Sequence, residues 1–152
     1  MSARSRGAGV VVEVEVDIDA PVGRVWRALS EPAQVCQWDG ARIVTVSDDY
    51  PRVGEHARWR IPVGSWWVML HDRPYTVEPH ERLASHLSWL WVLIDEEYTL
   101  APGPGGDGTH LASRNLVRAR LPLGILQRTS ARVVRASVEA AMGRLKTHCE
   151  TA

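Results

Sequence analysis

His71, Arg73 and Tyr75 stand at alternate positions of one largely apolar run, and Glu96 and Tyr98 stand two apart in another. Positions two apart on a strand share a face, so each set presents its side chains together if its run is a strand. The chemistry open to such sets is acid–base work on a carbonyl compound. Arg73 can hold a carbonyl or enolate oxygen and stabilise negative charge as it develops. His71 or Glu96 can move a proton, and Tyr75 or Tyr98 can donate one. Arg73, His71, Tyr75 and Glu96 are therefore the catalytic candidates. Each has a plainer reading: Arg73 pairs with a carboxylate at the surface, and His71 is a hydrogen-bonded structural histidine. Asp95-Glu96-Glu97 reads first as a solvated hairpin turn.

The strands that must carry these groups are predicted over Ala41 to Ser47, Gly54 to Ile61, Trp66 to Val77, Leu83 to Trp91, Glu96 to Ala101 and Thr109 to Arg118. Parity defines an inner face. If Val77 points inward, so do Tyr75, Arg73, His71, Met69 and Trp67. If Leu83 does, so do Ser85, Leu87, Trp89 and Trp91. The last hairpin then presents Glu96, Tyr98 and Leu100, followed by Thr109, Leu111, Ser113, Asn115 and Val117. A bulge would flip any of these sets. The ligand-facing candidates are Trp59, Trp67, Met69, Trp89, Trp91, Tyr98, Ser113 and Asn115. Tryptophans interleaved with a few polar groups are the expected lining of a small-molecule pocket, and they suit flat, conjugated ligands. A strand tryptophan is more often plain core, and Trp26 and Trp38 read as packing residues.

Both ends of the chain frame this sheet. Val10 to Ala20 reads VVVEVEVDIDA, an almost perfect alternation that puts Val12, Val14, Val16 and Ile18 on one face and acids on the other. It runs into Pro21 and a short helix carrying Val22, Val25, Trp26 and Leu29, then a second short helical piece from Ala33 to Trp38. Leu126 to Glu150 forms one long amphipathic helix. Its apolar stripe includes Val134, Val138, Met142 and Leu145, with the small residues Ser137 and Ala141 among them. Those two leave room beneath the helix for a ligand, or allow it to approach the sheet closely.

The chain of 152 residues carries 18 basic and 18 acidic residues, a formal net charge of zero. That balance argues against broad electrostatic binding to nucleic acid. No apolar run is long enough to span a bilayer, and the polar start, residues 1–9, reads as a disordered leader rather than a signal. A cytoplasmic location follows as the expectation, with Cys36 and Cys149 as free thiols. Residues 10–152 are expected to form one domain. The six histidines form no HExxH or HxxxH pattern, so no metal site is expected. The PGPGGDG run at 102–108 links two strands rather than opening a helix, which gives no support for a nucleotide.

Strand, two short helices, a run of antiparallel strands and a long terminal helix resemble the helix-grip fold of the START-related superfamily, and within it the polyketide cyclase/dehydrase family. The residues carrying the resemblance are Ile18-Asp19-Ala20-Pro21, Val25-Trp26, Trp38, Val53-Gly54, Val77-Glu78-Pro79 with Arg82-Leu83, Tyr98-Thr99-Leu100, Gly108-Thr109, and Arg144-Leu145-Lys146 with Glu150. The resemblance implies an α+β fold of about seven strands curved around the long helix, with a hydrophobic cavity between them. It implies a cofactor-free cyclase or dehydratase of secondary metabolism, acting on an aromatic or poly-β-ketone substrate by enolate stabilisation and proton transfer. The alternative is a non-catalytic protein that carries or sequesters a hydrophobic aromatic compound, as in self-resistance. The third and weakest alternative is an interaction module. Arg118, Arg120, Arg128, Arg132 and Arg135 read first as a solvated basic face; electrostatic contact with an acyl carrier protein bearing a polyketide chain is the other use of such a surface. Fold alone does not choose among these.

Overall fold

The computed structural model describes residues 9–121 and 124–151. The leader expected over residues 1–9 lies outside the described residues apart from Gly9. The order is β1 (Val10–Ile18), α1 (Val22–Ser30), α2 (Pro32–Asp39), β2 (Arg42–Thr45), β3 (Ala57–Val63), β4 (Trp66–Glu78), β5 (Arg82–Trp89), β6 (Val92–Pro102), β7 (Thr109–Ala119) and α3 (Gly124–Glu150). Seven strands form one antiparallel sheet, β1-β7-β6-β5-β4-β3-β2. This is the helix-grip arrangement.

Local chemistry explains the elements. Val12 and Ile18 of β1 are buried, while Glu13, Glu15 and Asp17 face solvent. Across the β1–β7 pair, Glu13 meets Arg114 and Asp17 meets His110, so the wet face carries opposite charges. Pro32 occupies the first turn of α2, where a missing N–H costs nothing. Gly40, at φ +75°, stops α2 in the left-handed conformation that glycine adopts without penalty.

Strand β4 breaks the alternation expected of it. Pro74 pairs with Ser85 and Thr76 with Ala84, leaving Tyr75 as an extra residue in a bulge. Leu70, Asp72 and Pro74 therefore point inward before the bulge, and Val77 points inward after it. Proline has no N–H to give to a ladder and is confined in sheets to edges and bulges. The parity drawn back from Val77 fails at Tyr75 and stays inverted through the rest of β4.

Helix α3 packs on β1, β7, α1 and α2. Its buried side includes Val134, Val138, Met142, Leu145 and Cys149. The C-terminal half is tied down by polar contacts. The Arg24 guanidinium caps the last turn, donating to the carbonyls of Cys149 (2.6 Å), His148 (3.1 Å) and Thr151 (2.7 Å). These are acceptors a helix end otherwise leaves bare. Lys146 donates to the Asp17 carbonyl at 2.6 Å, and Arg144 to the Trp38 carbonyl at 3.1 Å. The helix thus clamps the β1–β7 side of the curved sheet. The inner faces of β3 to β6 stay partly uncovered, and a cavity opens there.

Candidate functional site

The cavity lies between the inner sheet face, α2 and the middle of α3. The cavity volume is about 180 Å³. Its walls are mostly apolar: Leu29, Trp38, Trp59, Leu83, Leu87 and Ile94 from the sheet and the short helices, Val134 and Val138 from α3. Ser137 is exposed and Ala141 half-buried, which places both on the rim. Trp38 is anchored by its indole N–H on the Ala28 carbonyl at 2.7 Å. It therefore both packs and lines.

Three carboxyl groups face this apolar space: Asp39, Asp72 and Glu96. Among the described residues, no Arg, Lys or His lines it. Glu96 is the most perturbed. Burial, then the nearby Asp72 and Asp39, push it from an ordinary 4.5 to about 8, against a lowering hydrogen bond with Tyr98. At neutral pH Glu96 is mostly a neutral acid. Tyr98 is held protonated by burial and by Glu96. Asp72 is raised by burial, but Tyr50, Ser85 and Trp59 favour its charged form. Its Oδ2 accepts the Tyr50 hydroxyl at 2.5 Å and the Trp59 indole N–H at 3.1 Å. Asp39 is raised by burial and tempered by Arg144, 3.5 Å away.

Register brings these groups together. Glu96 stands opposite Ser85 on one side and Asn115 on the other. Tyr98 stands opposite Ser113, which is buried and accepts the Asn115 side-chain amide at 2.9 Å. A polar band thus crosses the sheet floor from β4 to β7. Glu96, Tyr98, Trp59, Trp89 and Asn115 line the cavity, the facing expected from their parity.

The bulge removes the other candidates. His71, Arg73 and Tyr75 lie on the outer face, away from the cavity, and this corrects their inward assignment. Arg73 is exposed. His71 stacks on His56, with ring nitrogens 3.0 Å apart. Tyr75 is 38% exposed and stacks on His86, centroids 4.3 Å apart. Trp67 and Met69 share that outer face, and Arg42 lies over the Trp67 ring at 4.5 Å. Trp91 is also corrected: it sits at the β5–β6 tip, 40% exposed, and the turn at Leu90 ends the parity. Asp95-Glu96-Glu97 is no turn but the middle of β6. Its outward members pair on the surface, Asp95 with His86 and Arg118 and Glu97 with Arg82.

Asp72 and Tyr50 were missed. The available signal was Pro74: a proline inside a long strand marks a bulge, and shifting parity there turns Asp72 inward. Tyr50, in the loop before β3, carried no periodic signal. Arg73→Ala is expected to leave stability within about 0.5 kcal/mol of wild type, as surface substitutions do. Cavity-ligand affinity, read by tryptophan fluorescence, should not change. A tenfold loss of affinity would return Arg73 to the site.

A curved antiparallel sheet gripping a terminal helix over an apolar cavity defines a helix-grip pocket protein. The chain matches over residues 9–150 the family described as polyketide cyclase / dehydrase and lipid transport, and it belongs to that family. Solved structures share the fold. The DynU16 protein of the dynemicin biosynthetic locus matches with 25% identity and a TM-score of 0.69, over 93% of this chain and 47% of that one. This chain therefore spans about half of DynU16. The Zhui aromatase/cyclase of Streptomyces sp. R1128 matches with 16% identity and a TM-score of 0.73, over 93% of each chain. A START superfamily protein of Mycobacterium smegmatis matches with 15% identity and a TM-score of 0.73, over 92% of this chain and 97% of that one. No curated protein matches the sequence. Among the described residues, no helix is long and apolar enough to cross a membrane.

Proposed function

We propose that this chain is a cofactor-free cyclase or dehydratase acting on a flat, apolar carbonyl compound of the aromatic or poly-β-ketone type. The observation that carries this reading is Glu96, a carboxylic acid held neutral beside Tyr98 in an apolar cavity. A neutral acid next to a tyrosine can hydrogen-bond an oxygen that gains charge, without needing a cation. It can equally deliver its proton to a departing hydroxyl. Arg73 was expected to hold the oxyanion; this pair supplies the same service from the correct face. The family and the biosynthetic locus of DynU16 support the assignment. An acyl carrier protein bringing its chain to the rim would meet Arg128 and Arg132, both exposed on α3.

A non-catalytic binding protein is the second reading. It is favoured by a lining that, among the described residues, holds no Arg, Lys or His. The two separate on one assay, the dehydration of an aromatic β-hydroxy ketone to its conjugated enone, followed by absorbance. The enzyme reading expects turnover that Glu96→Gln lowers by about 10²–10³-fold with binding retained. Binding without turnover, read by quenching of Trp59 and Trp89, would select the carrier.

A further inference from the structure

Asp72 is a buried acidic residue that the Glu96–Tyr98 chemistry does not use. It is 5% exposed and lines the same cavity as Glu96. The strand β5 lies between them, so they stand roughly 10 Å apart by strand spacing before their side chains reach inward. Both hydrogen bonds to Asp72 end on Oδ2, from Tyr50 and Trp59. Oδ1 is buried and has no hydrogen-bond partner of standard geometry, although Ser85 is near enough to favour the charged form. A buried carboxylate oxygen left bare costs stability, and such groups cluster where function needs them. Here the bare oxygen belongs to a residue of the cavity wall.

We propose that Asp72 is the general base of this site, its carboxylate taking a C–H proton from a neutral carbonyl substrate while Glu96 holds the oxygen. The proposal rests on the acid–base reading of the cavity. In the step, the Asp72 carboxylate gains the proton from the carbon beside the carbonyl. The C–H pair becomes the enolate double bond, and the carbonyl π pair moves onto the oxygen, which is hydrogen-bonded by the Glu96 acid. The enolate carbon then attacks a second carbonyl and closes a ring: the first carbonyl re-forms, the second carbonyl's π pair moves onto its oxygen, and that alkoxide takes back the proton held by Asp72. Burial raises Asp72 while Tyr50, Ser85 and Trp59 favour its charged form, whereas Glu96 is pushed up to about 8, and this difference divides the two carboxyls into base and acid. Tyr98 acts through Glu96 and is a positioning residue. Three acidic groups and no cation among the described lining residues make the substrate a neutral ketone with an acidified C–H, not a free carboxylate.

The test uses 5-nitrobenzisoxazole, whose elimination reports a positioned base. The base removes the ring C–H proton, that pair forms the third C–N bond, the N–O bond breaks, and a coloured cyanonitrophenolate leaves. The unreactive 6-nitrobenzotriazole reports binding by tryptophan quenching. Wild type should exceed the same concentration of acetate by about 100-fold or more. The rate should rise with pH as Asp72 ionises. The groups facing Asp72 are Asp39 from α2, Tyr50 from the loop, Glu96 and Tyr98 from β6, and the exposed His56; β5, β7 and α3 add no titratable side chain to the lining. Asp72→Asn should return the rate to the acetate background with 6-nitrobenzotriazole affinity within about threefold. Should that variant not fold, Tyr50→Phe serves: losing the bond to Oδ2 should move the midpoint of the rate–pH curve upward by about half a unit or more. Binding without elimination, full activity in Asp72→Asn, or an unmoved midpoint in Tyr50→Phe each overturns the role of Asp72 and leaves the cavity reading standing. Failure of 6-nitrobenzotriazole to bind overturns both.

Discussion

Glu96→Gln should be more stable than wild type in alkaline solution, and the gain should vanish in acid. Burial raises Glu96 from 4.5 to about 8, so the folded state holds this proton more tightly than the unfolded chain. The stability it supports is complete below the unfolded value near 4.5. It is lost as pH rises to about 8 and is flat beyond. At 1.36 kcal/mol per pH unit, the full window corresponds to about 5 kcal/mol. Glu96 keeps some exposed area because it borders the cavity, and water there lowers the cost to about 3 kcal/mol. Glutamine keeps the shape and an acceptor for Tyr98 but cannot ionise. Thermal melts should therefore coincide near pH 4 and separate by roughly 6–12 °C at pH 9. Asp39 and Asp72 are raised in the same direction. They remain in both proteins, so the difference between the two curves isolates Glu96. A difference that is constant with pH would show that the residue titrates normally.

Leu145→Ala should be the most costly single truncation in the closing helix. Leu145 is fully buried, beside the polar ties of Arg144 and Lys146 to α2 and β1. Removing a core leucine to alanine costs about 2–5 kcal/mol, because a cavity term adds to the lost transfer energy. The melting temperature should fall by about 6–12 °C for a mid-range loss of 3 kcal/mol. Ile125→Ala is the control. Ile125 is 77% exposed near the start of α3, so its loss should stay within about 0.5 kcal/mol. Equal losses at both positions would mean that α3 is not held mainly through its C-terminal half.

Much of the architecture is legible in local pattern. The alternation of β1 marks its wet and dry faces, and the parity of β3, β5, β6 and β7 places Trp59, Trp89, Glu96, Tyr98 and Asn115 where the cavity forms. The amphipathic stripe of α3 names Val134, Val138, Met142 and Leu145, all of them buried. The acidic run Asp95-Glu96-Glu97 misled because charge in sequence reads as solvation. Its central residue points inward while its neighbours pair with Arg118 and Arg82 on the other face.

The sequence by itself determined the order of elements and the faces of every strand whose period-two pattern runs unbroken, because strand parity and helix periodicity are properties of the local backbone. Only the tertiary structure decided which residues of β4 meet the cavity. The bulge at Tyr75 depends on how β4 pairs with β5, and one extra residue sends Arg73, His71 and Tyr75 outward and brings Asp72 in. The tertiary structure also decided the protonation of Glu96. That value comes from burial and from Asp72 and Asp39, carboxyls distant in sequence that become neighbours only when the sheet curves around its helix.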